Sequence, residues 1–91
     1  MNNEKLSLDD LCTAINTRKE IVIALVEYEL LQPEGETIEE WSFSLTAVKR
    51  ARLACSFYYE LEINWQGVAL ALDLLDQIEQ LEAELKYFKR S

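Results

Sequence analysis

Ser7-Leu8-Asp9-Asp10-Leu11-Cys12-Thr13-Ala14-Ile15-Asn16-Thr17-Arg18-Lys19-Glu20-Ile21-Val22-Ile23-Ala24-Leu25-Val26-Glu27-Tyr28 is the stretch whose reading decides the fold. Ser7 is followed three residues later by Asp10, the spacing at which a hydroxyl and a carboxylate cap each other's backbone N–H groups. Leu6 and Leu11 hold the two positions of a hydrophobic staple around them. A helix is expected from Leu8 to about Ile15. Thr17 and Glu20 repeat the capping spacing, which predicts a second helix beginning near Arg18 with Ile21, Leu25 and Tyr28 along one face. Two capped helices across a two-residue break make a helix-turn-helix. The β-branched run Ile21 to Val26 also reads as a buried strand. The cap before it, and Glu27-Tyr28-Glu29-Leu30 carrying it past strand length, favour the helix.

Outward from this pair, Pro33-Glu34-Gly35-Glu36 has turn chemistry: Pro33 cannot continue a helix and Gly35 can take positive φ. Trp41 and Phe43 alternate with Glu40 and Ser42, so Leu31-Gln32 and Trp41-Phe43 are expected to pair as a small β-hairpin wing. Ser44 is placed to cap a third helix reaching about Leu61, with Val48, Ala51, Cys55 and Tyr58 on one side. Asn64 caps a last helix from Trp65 to about Arg90. The expected fold class is mainly α: a winged helix-turn-helix head over residues 1–63 and a long C-terminal helix over 64–91, in one domain.

The last helix carries two apolar stripes. Trp65, Val68, Leu72 and Leu75 suit packing on the head, whereas Leu74, Ile78, Leu81, Leu85 and Phe88 follow the 4, 3, 4, 3 steps of a heptad seam. A short head cannot bury both. Either the seam folds back on the third helix or it pairs two copies of the chain; a homodimer is the favoured expectation, and in an antiparallel pairing Glu82 faces Lys89 of the second copy.

The 91 residues carry 9 Lys and Arg against 17 Asp and Glu, a net charge of −8 with no His. The excess is one-sided. Residues 1–45 hold three cations against ten carboxylates, a net of −7 on the surface that a DNA reader would press against phosphate. Lys49, Arg50 and Arg52 form the one basic cluster of note, too small to argue for nucleic acid. The lack of His removes the usual general base, the Ser/His and Cys/His nucleophile pairs and His-containing zinc sites. No catalytic, cofactor or metal site is expected. Asp73, Asp76 and Glu79 recur at helical spacing, but read as a solvated acidic face. Cys12 and Cys55, without CxxC spacing, read as small buried hydrophobes of a reducing cytoplasm. The start, MNNEKLSLDD, has neither the basic nor the apolar segment of a signal peptide, and the longest uninterrupted apolar run, Ile21 to Val26, is far below membrane-spanning length.

The order of helix-turn-helix, wing, helix and long terminal helix resembles the MerR-like winged-helix fold. With Leu30-Leu31-Gln32-Pro33, then Trp41-Ser42-Phe43, then Tyr59-Glu60-Leu61-Glu62-Ile63-Asn64-Trp65-Gln66-Gly67-Val68-Ala69-Leu70-Ala71-Leu72-Asp73-Leu74-Leu75-Asp76, the chain is similar over nearly its whole length to the chaperone modulators of the CbpM type. It departs from them at Glu29, where the family tends to place Gly at the end of the second helix; a left-handed residue there costs about 1 kcal/mol. The resemblance implies a non-enzymatic protein that binds the J-domain of a DnaJ-like, CbpA-type co-chaperone and blocks its productive meeting with Hsp70. Given a basic J-domain helix, Asp9, Glu27 and Glu29 are the expected partner-binding residues, since Asp10 and Glu20 serve as caps. A MerR-like DNA-binding transcriptional regulator is the alternative, which the acidic half disfavours.

Overall fold

A computed structural model describes residues 4–89 of the chain. The elements follow in the order β1 (Leu6–Ser7), α1 (Leu8–Ile15), α2 (Lys19–Glu27), a 3-10 turn (Ile38–Glu40), β2 (Ser42–Phe43), α3 (Leu45–Glu60) and α4 (Trp65–Lys89). The fold is mainly helical with one small antiparallel sheet, as the periodicities predict. Arg90, the expected end of the last helix, lies outside the described residues.

The first cap forms as written in the sequence. The Ser7 hydroxyl accepts from the Asp10 N–H at 3.1 Å and the Ser7 N–H donates to the Asp10 carboxylate at 3.3 Å. Asn16 ends α1 in the left-handed region at φ 55°, and the Thr17 N–H donates back to the Cys12 carbonyl at 3.0 Å. Thr17 thereby belongs to the close of α1 and stands one residue before the N-cap of α2, whose first carbonyl, that of Arg18, accepts from the Ile21 and Val22 N–H groups. Arg18 stands at the N-cap in extended conformation with no side-chain cap bond, a correction to the second capping box.

The wing differs from the expected hairpin. Leu31-Gln32 is not a strand; β2 pairs with β1, Leu6 opposite Phe43 and Ser7 opposite Ser42. The physical reason lies at the end of α2, where Glu29 is left-handed at φ 63° and the Leu30 and Leu31 N–H groups both turn back to the Leu25 carbonyl, at 2.8 and 3.3 Å. Those donors are consumed by helix termination, and both leucines are buried in the core. The wing loop closes instead through a bridge between Glu34 and Ser42, with N–H to O distances of 3.0 and 2.9 Å. Gly35 sits in its turn at φ 109°, where an added Cβ would lie 2.5 Å from the Glu40 carbonyl oxygen.

Leu11, Val22, Leu25, Phe43, Val68 and Leu72 are fully buried and bring α1, α2, β2 and α4 onto one core, with Ala51 and Ala54 letting α3 approach closely. Asn64 caps α4 through its side-chain oxygen, which accepts from the Gly67 N–H at 2.8 Å. At 1.5 Å per residue α4 is about 38 Å long and the 16-residue α3 about 24 Å, so the distal turns of α4 run past the head.

Candidate functional site

Leu30 and Leu31, delivered by the left-handed turn after α2, lie at the base of a groove of about 660 Å³ between α3 and α4. Its apolar floor combines those two leucines with Leu53 of α3 and Leu72, Leu75 and Ile78 of α4. The α3 rim carries Ser44, Thr46 and Lys49, and the α4 rim Asp76, Glu79 and Glu82. Arg50 crosses it: the guanidinium donates to the Leu30 carbonyl at 2.9 Å and pairs with Asp76 at 3.3 Å, tying α2, α3 and α4 at one point. Arg52 leaves in the other direction and donates to the Ala14 carbonyl at 3.0 Å. It supplies the cation that the last turn of α1 lacks, where the helix dipole favours one. Two of the three cations in the basic cluster are therefore structural ties.

Neither Glu79 nor Glu82 has a salt bridge among the described residues, whereas Lys5 pairs with Glu34 at 3.1 Å and Arg50 with Asp76. The groove was not legible in advance, because three separate segments build it. The signal for it was Arg50 and Leu53, one turn apart on α3, opposite Leu72, Leu75 and Glu79 on α4.

The expected partner-binding carboxylates are all exposed. Asp9 lies in the first turn of α1, where a negative charge favours the helix. It also raises the Cys12 thiol pKa. Burial is the larger cause of that rise, Glu20 adds to it, and Lys19 opposes it, so Asp9 shares a neighbourhood with the start of α2. Glu27 and Glu29 stand at the other end of that nine-residue helix. The three residues are not brought into one cluster: Asp9 belongs to one end of α2, and Glu27 and Glu29 to the end that leads into the groove.

The heptad seam is open along its length. Leu74 and Ile78 are about half exposed and Leu81, Leu85 and Phe88 more so, the last at 71%. Among the described residues the fold-back onto α3 is not formed. Trp65 stacks on Tyr58 at 3.9 Å and Trp41 meets the buried Phe43 edge-on at 6.1 Å, the two tryptophans half-buried; Tyr59 projects outward from the first pair. No helix among the described residues is long and apolar enough to cross a membrane.

Residues 6–90 match the model of a family described as MerR HTH family regulatory protein. The chain is 48% identical over 85 residues to a protein of Coxiella burnetii (strain Dugway 5J108-111) named chaperone modulatory protein CbpM, a match covering 93% of this chain and 80% of that one. Proteins of the same name from Pseudomonas putida (strain W619) and Pseudomonas entomophila (strain L48) are 38% and 37% identical over 86 residues, 94% of this chain and 85% of theirs.

Proposed function

The chain belongs to the MerR HTH regulatory-protein family and, within it, to the CbpM chaperone modulatory proteins, and on that premise we propose that it binds the J-domain of a DnaJ-like, CbpA-type co-chaperone and lowers its stimulation of Hsp70. The coarser role, chaperone modulation, is the one its named relatives support, and none of those quoted carries an enzyme's name. The observation that carries the finer reading is the near-full-length similarity to chaperone modulators combined with a surface whose charge excess lies on the helix-turn-helix and wing. A basic partner helix meets that surface with complementary charge, which raises the association rate and selects the partner, while apolar contact supplies much of the affinity.

Glu27 and Glu29 are the partner-binding residues of choice, with Asp9 a third contact. They sit where local physics disfavours them: at the negative end of α2, with no basic residue in its last turn, and, for Glu29, in a left-handed conformation. Carboxylates held against both preferences fit a binding role. The second part of the proposal is a homodimer through Leu74, Ile78, Leu81, Leu85 and Phe88. The exposed apolar seam is its motive. The site of action is the cytoplasm, where the free thiols of Cys12 and Cys55 stay reduced.

Calorimetric titration of the J-domain into the full chain tests the reading, with the rate of Hsp70 ATP turnover as the functional readout. Binding is expected to weaken, without vanishing, as salt shortens the Debye length from about 10 Å to about 3 Å. The Glu27→Lys/Glu29→Lys double variant is expected to bind at least tenfold more weakly. Absence of both heat and inhibition with the wild-type chain refutes the reading. The MerR-like transcriptional alternative is addressed by a duplex DNA shift near 0.15 M salt: saturable, sequence-selective retardation favours it, and the acidic wing argues for none.

A further inference from the structure

We propose that the groove between α3 and α4 seats an amphipathic helix of the partner, about three turns long, with its cationic edge along α4. The inference rests on the J-domain reading and adds where and in which orientation the contact is made.

Three features point to this occupant. The floor is apolar and open: Leu53, Leu75 and Ile78 remain 39%, 38% and 48% exposed, while Leu30, Leu31 and Leu72 close its base. From Leu72 to Glu82 the wall spans eleven residues of α4, about 15 Å, which matches three turns of a helix presenting apolar residues at i, i+3 or i+4, and i+7. The rims are oppositely charged. Arg50 is already engaged with the Leu30 carbonyl and Asp76, which leaves Glu79 and Glu82 along α4 and Lys49 along α3. An incoming helix is thereby oriented with its Lys and Arg toward α4 and its neutral or acidic edge toward Lys49. The base residue Leu30 directly follows Glu29, so the end of α2 adjoins the groove.

A second copy of the chain is the weaker occupant. Between Asp73 and Glu84, α4 carries five carboxylates and no cation, so the same stretch of another copy would set like charges against Glu79 and Glu82. The heptad seam also faces another way. At 3.6 residues per turn, the line through Leu72, Leu75, Glu79 and Glu82 lies about 120° around α4 from the line through Leu74, Leu81 and Leu85, and Ile78 lies between them. The seam and the groove are adjacent faces that a second copy and a partner helix can occupy together.

The test is calorimetry and light scattering on the full chain and its variants, with the isolated J-domain as probe. Glu79→Lys and, separately, Leu53→Glu are surface changes in the groove alone, whose folding is checked by circular dichroism. Each is expected to weaken J-domain binding at least tenfold and to leave the mass of the free protein unchanged. Leu81→Glu, on the seam alone, is expected to bind the J-domain within threefold of wild type. Wild-type binding that survives within twofold in both groove variants overturns the groove while leaving the J-domain reading standing. A change of mass in Glu79→Lys assigns the groove to a second copy and overturns it too. A wild-type chain that gives no heat refutes the underlying reading first.

Discussion

Glu29→Gly is expected to make the protein more stable and a weaker binder at once. Glu29 ends α2 at φ 63°, with the Leu30 N–H returned to the Leu25 carbonyl at 2.8 Å, the left-handed termination that glycine adopts most readily. A side chain in that region costs about 1–2 kcal/mol through the clash of its Cβ with the following carbonyl. Glycine gives back about 0.4–1 kcal/mol of this, because it enlarges the freedom of the unfolded chain. The expected net gain is about 0.5–1 kcal/mol, or about 2–8 °C in Tm for a domain of this size. Thermal and urea unfolding followed by circular dichroism read it directly, under the two-state behaviour usual for small domains. Glu29→Ala separates strain from charge, since it removes the carboxylate but keeps the Cβ. Glu62, left-handed at φ 55° just past α3, supplies an internal comparison: Glu62→Gly is expected to stabilise by a similar amount and leave J-domain binding unchanged. Glu29→Gly melting no higher than Glu29→Ala would refute the strain argument. Glu29→Gly binding the J-domain as rapidly as wild type would remove Glu29 from the contact.

For the seam, light scattering after gel filtration is expected to report twice 10.6 kDa for the wild-type chain and a shift toward one mass for Leu81→Glu. A wild-type monomer at tens of micromolar would end the dimer proposal. The Cys12 and Cys55 thiols are both raised above the ordinary thiol value, chiefly by burial, with Asp9 and Glu20 adding at Cys12 against Lys19. A raised folded pKa means that the folded state resists thiolate formation. Its contribution to stability is full below the unfolded thiol pKa of about 8.5 and is lost as pH climbs through the folded value. Iodoacetamide at pH 8 is therefore expected to react more slowly with the native chain than with free cysteine. Equal rates would contradict the burial.

Where caps and turns are local, the sequence carried them to the structure almost unchanged. Ser7 with Asp10, Asn64 with Gly67, and the Pro33–Gly35 turn each need only a few neighbouring residues to form. Thr17 misled because the capping spacing to Glu20 is satisfied on paper while α2 starts one residue later, with the Arg18 carbonyl accepting its first N–H groups. Leu31-Gln32 misled because a strand's partner is a long-range choice. The alternation at Trp41–Phe43 marks β2 but does not say that the residue opposite Phe43 is Leu6. The candidate site divides in the same way. Exposed carboxylates and the heptad seam are visible one helix at a time. The groove depends on Leu30, Leu53 and Leu75 meeting from three helices, and on Arg50 being taken up by Leu30 and Asp76 so that Glu79 and Glu82 are left as the acidic rim.

The pairing of β1 with β2 also has a consequence for how the chain folds. A local hairpin would close a loop of fewer than ten residues, whereas joining Ser7 to Ser42 closes one of about 35, at an entropic cost about 1 kcal/mol greater. That cost must be met before the ladder returns any energy, so α1 and α2 dock first and the ladder comes late along the folding path. Ser42 then serves both edges, facing Ser7 on one side and Glu34 on the other. The Ser42 N–H donates to the Glu34 carbonyl, so amide exchange at Ser42 reports opening of the acidic loop at its bridge, while the Leu6–Phe43 and Ser7–Ser42 pairing holds the strand on its other edge.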